Sequence, residues 1–141
     1  MQVCSNIRRR LMQLKMRNIH FPGRSPVYSL DGMVATSHPL ATKAAIDKLS
    51  QGGNAMDAAI TAASVLAVVE PHSTGVGGDL FCLYFPNDTK KVIAMNASGR
   101  APAEISVEKL ESLGVKNSIP FLSPHSVSIP TGVAGWVKLI E

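Results

Sequence analysis

The 141-residue sequence contains few charged residues, few aromatic residues and only two cysteines. Charged residues make up 17% of the chain, whereas an average globular protein has about 25%. This composition argues against long solvated or disordered stretches, because such stretches combine high charge with low hydrophobicity. Apolar residues make up 45%, and this length fits one domain or part of one.

The cysteines and histidines show no spacing that suits a metal ion. Cys4 and Cys82 are too far apart for the paired ligands of a zinc site, and two cysteines are too few for a disulfide scaffold. The four histidines have no close pairing with each other or with cysteine: His20, His38, His72 and His125. We predict no metal site and no cofactor, and we expect both cysteines to be free thiols.

The distribution of charge disfavours a nucleic-acid partner. Residues 1–30 carry six of the 14 Lys and Arg residues and none of the 10 acidic residues, although the whole chain has a formal net charge of +4. Residues 31–141 therefore have a net charge of −2, which offers no surface to a phosphate backbone. Aromatic residues, at 5%, are too few for base-stacking platforms.

Residues 1–21 form a basic leader before the predicted body at residues 22–141. Ile7, Leu11 and Leu14 have helical spacing among arginines, as in a mitochondrial presequence, but a solvated basic helix or an unstructured leader fits the same pattern. A helix on a membrane surface is a third interpretation. No apolar run in the leader is long enough for a secretory signal, so a cytoplasmic location is favoured and no membrane span is predicted.

The body alternates predicted helices and strands, which indicates a mixed α/β (α+β) fold. Helices are predicted over residues 40–49, 55–69, 106–113 and from 135 onward. Strands are predicted over residues 32–37, 80–85, 91–96 and 126–130, of which the middle two form a hairpin. The helix at 55–69 has 12 apolar residues out of 15 and a good N-cap in Asn54, so we expect it to be buried in a core.

The sequence stops inside an amphipathic pattern. Trp136, Leu139 and Ile140 follow helical spacing, and no capping or stop signal comes after them. We therefore expect a truncated chain, whose apolar faces a missing remainder would cover.

The segment Gly-Val-Gly-Gly at residues 75–78 is a candidate phosphate cradle. It follows a predicted helix and precedes a predicted strand, the reverse of the order that points a helix N-terminus at phosphate. It also lacks the Lys-Ser/Thr pair of a P-loop. We expect instead that these glycines adopt positive φ angles and let a strand pass closely beneath a helix.

The stretch Asn-Ala-Ser-Gly-Arg-Ala-Pro at residues 96–102 is a better candidate for a substrate-binding site. Arg100 follows a hydrophobic strand between Gly99 and Pro102, so it is well placed to bind a carboxylate through two hydrogen bonds. The alternative is an arginine that caps backbone carbonyls or pairs with an acid such as Asp79. The chain contains no Gly-x-Ser-x-Gly nucleophile elbow.

Five sequence blocks follow one another in a specific order across residues 32–103. They are Gly-Met-Val-Ala at 32–35, Pro-Leu-Ala-Thr at 39–42, Gly-Gly-Asn-Ala-Met-Asp-Ala-Ala at 52–59, Val-Glu-Pro-His-Ser-Thr-Gly-Val-Gly-Gly at 69–78 and Arg-Ala-Pro-Ala at 100–103. Ser-Ile-Pro-Thr-Gly at 128–132 and Gly-Trp at 135–136 continue the series. In order and spacing, these blocks resemble the start of the gamma-glutamyltransferase family over about residues 22–141.

The resemblance implies an incomplete part of an N-terminal-nucleophile hydrolase αββα sandwich, made as a precursor that cleaves itself into a large and a small subunit. It also implies a threonine nucleophile at the new N-terminus of the small subunit, with its own amino group as base. No threonine of this chain stands in the Thr-Thr-His-like context of that residue. We therefore assign no catalytic residue here and expect the small C-terminal subunit as a partner.

One position departs from the typical family pattern. In typical gamma-glutamyltransferases an arginine three residues before Ala-Pro-Ala binds the α-carboxylate of the glutamyl group; here that position is Ser98, and the arginine is Arg100. This form resembles the acylase-like or amidohydrolase-like branch of the family. Arg100, assisted by Ser98, is the candidate for substrate binding.

The resemblance predicts a fragment of an amidohydrolase that transfers or hydrolyses a gamma-glutamyl or related acyl group. Its substrates would be small molecules of the glutathione or acyl-amide type, and the fragment alone is expected to be inactive. The alternative is a non-catalytic binding or interfering module that acts through exposed apolar helix surfaces.

Overall fold

A computed structural model describes residues 25–141 of the chain. Asp31–Glu141 form one compact unit, and residues 25–30 are exposed and form neither helix nor strand. The predicted basic leader at residues 1–21, its helical pattern and Cys4 lie outside the described residues. The division between leader and body therefore stays a prediction.

Two helices, α1 (Pro39–Ser50) and α2 (Ala55–Val69), pack against each other. The buried residues between them are alanines from both helices: Ala41, Ala45, Ala58 and Ala62. Because alanine is small, it lets two helix backbones approach closely. The tight packing that the many alanines of α2 predict is confirmed.

Capping residues set the beginnings of both helices. The backbone N–H of Leu40 donates a hydrogen bond of 3.2 Å to Nδ1 of His38, which gives this histidine a structural role at the start of α1. At the start of α2, the Asn54 side chain accepts from the backbone N–H of Asp57, and the Asp57 carboxylate accepts from the backbone N–H of Asn54. The predicted bounds of α2 are confirmed, and α1 is one residue longer at each end than predicted.

The prediction that α2 is buried on all sides is wrong for the described structure. Met56, Ala58 and Ala62 are its buried residues, whereas Val68 is 78% exposed. The physical reason is that α1 covers one face of α2, and the rest of the described chain covers little of the opposite face. Four residues of this apolar helix are exposed, namely those at positions 55, 59, 64 and 68.

The predicted hairpin is confirmed as β1 (Leu80–Tyr84) and β2 (Ile93–Ala97), which pair antiparallel along their full length. Successive side chains of a strand point to opposite faces. Cys82 is half-buried on one face and is a free thiol, as predicted. Phe81 and Leu83 on the other face are 66% and 79% exposed, so one apolar face of the hairpin is uncovered.

Two further helices complete the described structure. α3 (Val107–Ser112) is the predicted short helix, and the Ser106 hydroxyl caps it by accepting a hydrogen bond from the backbone N–H of Lys109. α4 (Gly132–Ile140) begins three residues before the predicted Gly135 and packs on α2 and β2. This packing brings the start of α4 to the end of the hairpin.

Two predicted strands, at residues 32–37 and 126–130, are wrong. Residues 32–37 form neither helix nor strand, and a 3-10 turn (Pro124–Ser126) overlaps the second segment. A chain segment becomes a strand only when a neighbouring backbone pairs with it in a ladder. No ladder is assigned at residues 32–37, and Pro130 has no N–H to donate to one.

Candidate functional site

A cleft of about 450 Å³ opens where β2 ends and α4 begins. Its walls include Asn96, Ser98, Gly99, Arg100, Thr131 and Gly135. The two residues that the sequence predicts to bind substrate, Ser98 and Arg100, therefore line the same cleft.

The turn after β2 brings these two residues to the cleft. Oδ1 of Asn96 accepts a hydrogen bond of 3.0 Å from the backbone N–H of Ser98, an interaction that bends the chain as it leaves the strand. Gly99 follows with a φ of +77°, in the left-handed region that favours glycine. The local sequence Asn-x-Ser-Gly thus produces the turn that carries Arg100.

Residues 128–131 run beside this turn and hold its backbone. Oγ1 of Thr131 donates a hydrogen bond of 2.6 Å to the carbonyl oxygen of Ala97. Oγ of Ser128 donates one of 3.1 Å to the carbonyl oxygen of Ser98. Both donor residues and both acceptor residues are half-buried.

A third contact fixes the end of the turn. The backbone N–H of Ile129 donates a hydrogen bond of 2.9 Å to the carbonyl oxygen of Arg100. A Cβ atom on Gly99 would overlap the carbonyl oxygen of Ile129, so the two backbones are in direct contact there. The carbonyls of residues 97, 98 and 100 are therefore all held by one facing segment.

The side chain of Arg100 is exposed at the cleft and has no partner within the described chain. The ion pairs found between residues 25 and 141 are Lys43 with Asp47 and Lys138 with Glu141, both on exposed helix surfaces. The alternative in which Arg100 pairs with Asp79 is therefore wrong for this structure. Among residues 25–141, no acidic side chain forms an ion pair with its guanidinium.

The glycine-rich loop at residues 75–78 contacts the start of α4. The Gly78 carbonyl oxygen accepts hydrogen bonds from the backbone N–H groups of Gly132, at 3.0 Å, and Thr131, at 3.3 Å. The expected positive φ angles are wrong, because none of the three loop glycines has one. The close approach lies at Gly132 instead, where a Cβ would stand 3.1 Å from the Gly78 oxygen.

The described structure also contains a larger cavity with a mostly apolar lining. A cavity of about 660 Å³ lies between residues 31–36 and α2, and alanine, valine, leucine and methionine form most of its lining. Across residues 25–141, no three His, Cys, Asp or Glu side chains are grouped so that they could hold a metal ion. Nor does that range contain a helix with the length and hydropathy to cross a membrane.

The sequence places Ser128 and Thr131 in one of the family-like blocks, but it assigns neither residue a role at the site. Residues 126–130 follow an alternating pattern that predicts a strand, and Thr131 reads as part of a turn. Their bonding partners lie 30 and 34 residues earlier in the chain. No local pattern reveals such partners, because the fold alone brings the two segments together.

Comparison with known proteins relates the chain to one family. A profile of the family described as Gamma-glutamyltranspeptidase matches residues 41–141. The chain is similar to the glutathione hydrolase proenzyme of Bacillus subtilis, with 38% identity over 111 residues, which are 79% of this chain and 19% of the relative. It is also similar to the oxamate amidohydrolase proenzyme of Klebsiella pneumoniae, with 38% identity over 80% of this chain and 21% of the relative. The chain thus spans about a fifth of the length of these relatives.

A solved structure gives the same relationship for the fold. The cephalosporin acylase from Bacillus halodurans matches with a TM-score of 0.77 and 38% identity, over 90% of this chain and 24% of the acylase chain. The predicted fold class, an incomplete part of an N-terminal-nucleophile hydrolase fold with mixed helices and strands, is therefore confirmed.

Proposed function

Because the chain belongs to the gamma-glutamyltranspeptidase family, we propose that it is the N-terminal part of the large subunit of an amidohydrolase from the acylase-like side of that family. Two observations support this proposal. The chain spans about a fifth of the length of its relatives. It also exposes apolar faces on the hairpin and on α2, which further protein would cover.

In the proposed reaction, the hydroxyl of a threonine outside this chain attacks the carbonyl carbon of a substrate amide. The amine leaves with a proton, and the acyl group remains on the threonine as an ester. Water or a second amine then takes up the acyl group and restores the hydroxyl. The substrates are small gamma-glutamyl or other acyl amides, and this chain contributes to their binding rather than to bond cleavage.

The guanidinium of Arg100, which lies at the cleft and has no acidic partner among residues 25–141, is the observation that carries the proposed role of this chain. A guanidinium presents a planar set of N–H donors that matches a carboxylate through two parallel hydrogen bonds. Ser98 lines the same cleft and offers one hydroxyl donor. Arg100, assisted by Ser98, would therefore hold the carboxylate of an acidic acyl group.

The substitution Arg100→Ala in the full-length protein tests this role. We expect KM for acyl groups that carry a carboxylate to rise roughly tenfold or more, because a charged hydrogen-bonding partner is lost. KM for neutral acyl groups should change little. Lys116→Ala is a matched control, because it also removes an exposed cation but does not line the cleft. Equal effects of Arg100→Ala on both substrate classes would remove Arg100 from the site.

The chain alone is proposed to be inactive, because its nucleophile lies elsewhere. Hydrolysis of a gamma-glutamyl anilide by the purified 141-residue chain would contradict this. The alternative function is a non-catalytic binding or interfering module that acts through exposed apolar helix surfaces, which Val68 of α2 and Ile140 of α4 favour, at 78% and 65% exposed. The transcript decides between the two: a reading frame that continues past Glu141 to a Thr-Thr-His-like site supports the enzyme, and a stop codon directly after Glu141 supports the module.

A further inference from the structure

The start of α4 departs from the usual behaviour of helix ends. Thr131 occupies the N-cap position, where a threonine hydroxyl normally accepts a hydrogen bond from a backbone N–H of the first turn. Here the Thr131 side chain makes no such bond. Its hydroxyl instead donates a bond of 2.6 Å to the carbonyl oxygen of Ala97, which lies 34 residues earlier. The helix thus goes without its cap while the turn after β2 gains a hydrogen bond.

This contact begins where the hairpin ladder ends. Ala97 is the last residue of β2, and Gly99, with its positive φ, turns the chain away from the strand direction. Beyond that point, the hydroxyls of Thr131 and Ser128 supply two of the hydrogen bonds that a neighbouring strand would otherwise supply. A backbone ladder tolerates most residue types, whereas these two bonds require a hydroxyl side chain.

The held segment ends at the residue that is proposed to bind the substrate. Hydrogen bonds to the carbonyls of Ala97, Ser98 and Arg100 fix the backbone on both sides of Gly99. A long arginine side chain loses conformational freedom when it binds a ligand, and a rigid backbone beneath it reduces that cost. A bidentate grip also depends on direction, because both N–H groups must meet the carboxylate in its plane.

We propose that Thr131 and Ser128 are positioning residues, which hold the turn at residues 97–100 so that Arg100 points into the cleft toward a substrate carboxylate. The inference rests on the substrate-binding role of Arg100 proposed above. Each hydroxyl acts through the backbone that carries Arg100, because each donates its hydrogen to a carbonyl oxygen of that turn. Both residues therefore set the preference for acidic over neutral acyl groups without taking part in bond cleavage.

The test compares Thr131→Val with Thr131→Ser in the full-length protein. Valine keeps the branched shape and removes the hydroxyl, whereas serine keeps the hydroxyl. We expect Thr131→Val to raise KM for a gamma-glutamyl anilide about fivefold, the effect of losing one ordinary hydrogen bond. KM for a neutral acyl anilide and kcat for both substrates should stay within about twofold, and Thr131→Ser should restore the wild-type KM.

Thr61→Val is the matched control. Its hydroxyl is also half-buried and donates a bond of 2.7 Å to a backbone carbonyl, that of Asp57, but it lies within α2 and does not line the cleft. Thr61→Val should leave the KM ratio between the two substrates unchanged. Ser128→Ala is the second test variant, because it removes the bond from Ser128 to the carbonyl oxygen of Ser98. It keeps the inference testable if Thr131→Val folds poorly.

The outcomes separate this inference from the proposed function. If Arg100→Ala raises KM selectively for acidic acyl groups but Thr131→Val and Ser128→Ala affect both substrates equally, the positioning role is overturned and the proposed function stands. If Arg100→Ala itself shows no selectivity, the substrate-binding role of Arg100 fails, and the positioning role fails with it. A selective KM rise in all three variants, with rescue by Thr131→Ser, supports both.

Discussion

Gly99 and Ile129 approach each other so closely that a Cβ atom on Gly99 would overlap the backbone carbonyl oxygen of Ile129. Gly99 also has a φ of +77°, which L side chains rarely adopt. Two separate physical constraints therefore disfavour any other residue at this position. Because the turn carries Ser98 and Arg100, both constraints act on the candidate site.

The substitution Gly99→Ala should destabilise the chain by about 3 kcal/mol or more, because the strain of a positive φ adds to the displacement of Ile129. Gly52→Ala is the matched control: φ there is +88°, but a new Cβ would meet nothing within 4 Å. It should cost about 1 kcal/mol. Urea denaturation of the two variants measures the difference in the free energy of unfolding. Equal losses in the two variants would show that the backbone of Ile129 moves aside without destabilising the chain.

Packing between α1 and α2 predicts a second contrast. Ala45 is fully buried between the helices, so Ala45→Leu should force them apart and lower the free energy of unfolding by about 1–3 kcal/mol. Ala59 of α2 is exposed and lines the larger cavity. Ala59→Leu should therefore cost no more than about 0.5 kcal/mol. Thermal unfolding followed by circular dichroism compares the two, and a well-tolerated leucine at position 45 would mean that the interface is loosely packed.

The capping box at the start of α2 predicts that substitutions of its two residues lower the free energy of unfolding non-additively. Asn54→Ala should cost about 1 kcal/mol, since it removes the acceptor for two backbone N–H groups. Asp57→Ala removes the reciprocal bond to the backbone N–H of Asn54. The double variant should lose less than the two single losses added together, because each substitution disturbs the same turn. Chemical denaturation of the wild type, the two single variants and the double variant measures these losses in the free energy of unfolding. Strictly additive losses would argue that the two bonds form independently.

The ionisation of Glu108 makes the stability of the fold depend on pH. Two hydrogen bonds lower the pKa of this exposed carboxyl below its usual value. The larger effect comes from its own backbone N–H, and the smaller from the Ser106 hydroxyl. The charged carboxylate therefore stabilises the fold above the pKa of the unfolded chain, and this contribution disappears as pH falls through the lowered pKa.

The Ser106 contribution is measured by an NMR titration of the Glu108 carboxyl. Ser106→Ala should raise the pKa of Glu108 toward its ordinary value. Ser112→Ala is the control, because that hydroxyl donates to the carbonyl oxygen of Lys109 instead and should leave the titration unchanged. A Glu108 pKa that does not move in Ser106→Ala would assign the whole shift to the backbone.

Features that depend on neighbours in sequence were predictable. Asn54 and Asp57 stand three residues apart and close one helical turn, so the amino-acid pattern alone indicates a cap and a first-turn acid. The hairpin follows from two apolar runs separated by turn residues. Ser98 and Arg100 line the same cleft because they are neighbours in sequence, with Gly99 alone between them.

Features that depend on distant partners were not predictable. An apolar segment such as α2 signals burial, but the number of faces that are covered depends on which elements the fold places around it. The alternation at residues 126–130 signals a strand, but the segment is held by two hydroxyl bonds, from Ser128 and Thr131, and one backbone bond, from Ile129. The glycines at 75–78 suggested unusual backbone angles, whereas the close approach occurs at Gly132.

The amino-acid order was enough to indicate the family, the start of α2, the hairpin and Arg100 as a candidate for substrate binding, because each of these is encoded in short runs of consecutive residues. The folded chain was needed to show that Thr131 and Ser128 hold that turn and that Arg100 is left without an acidic partner among the described residues. Hydrogen bonds between residues 30 or more positions apart form only after helix and sheet packing has brought the two segments to within about 3 Å of each other.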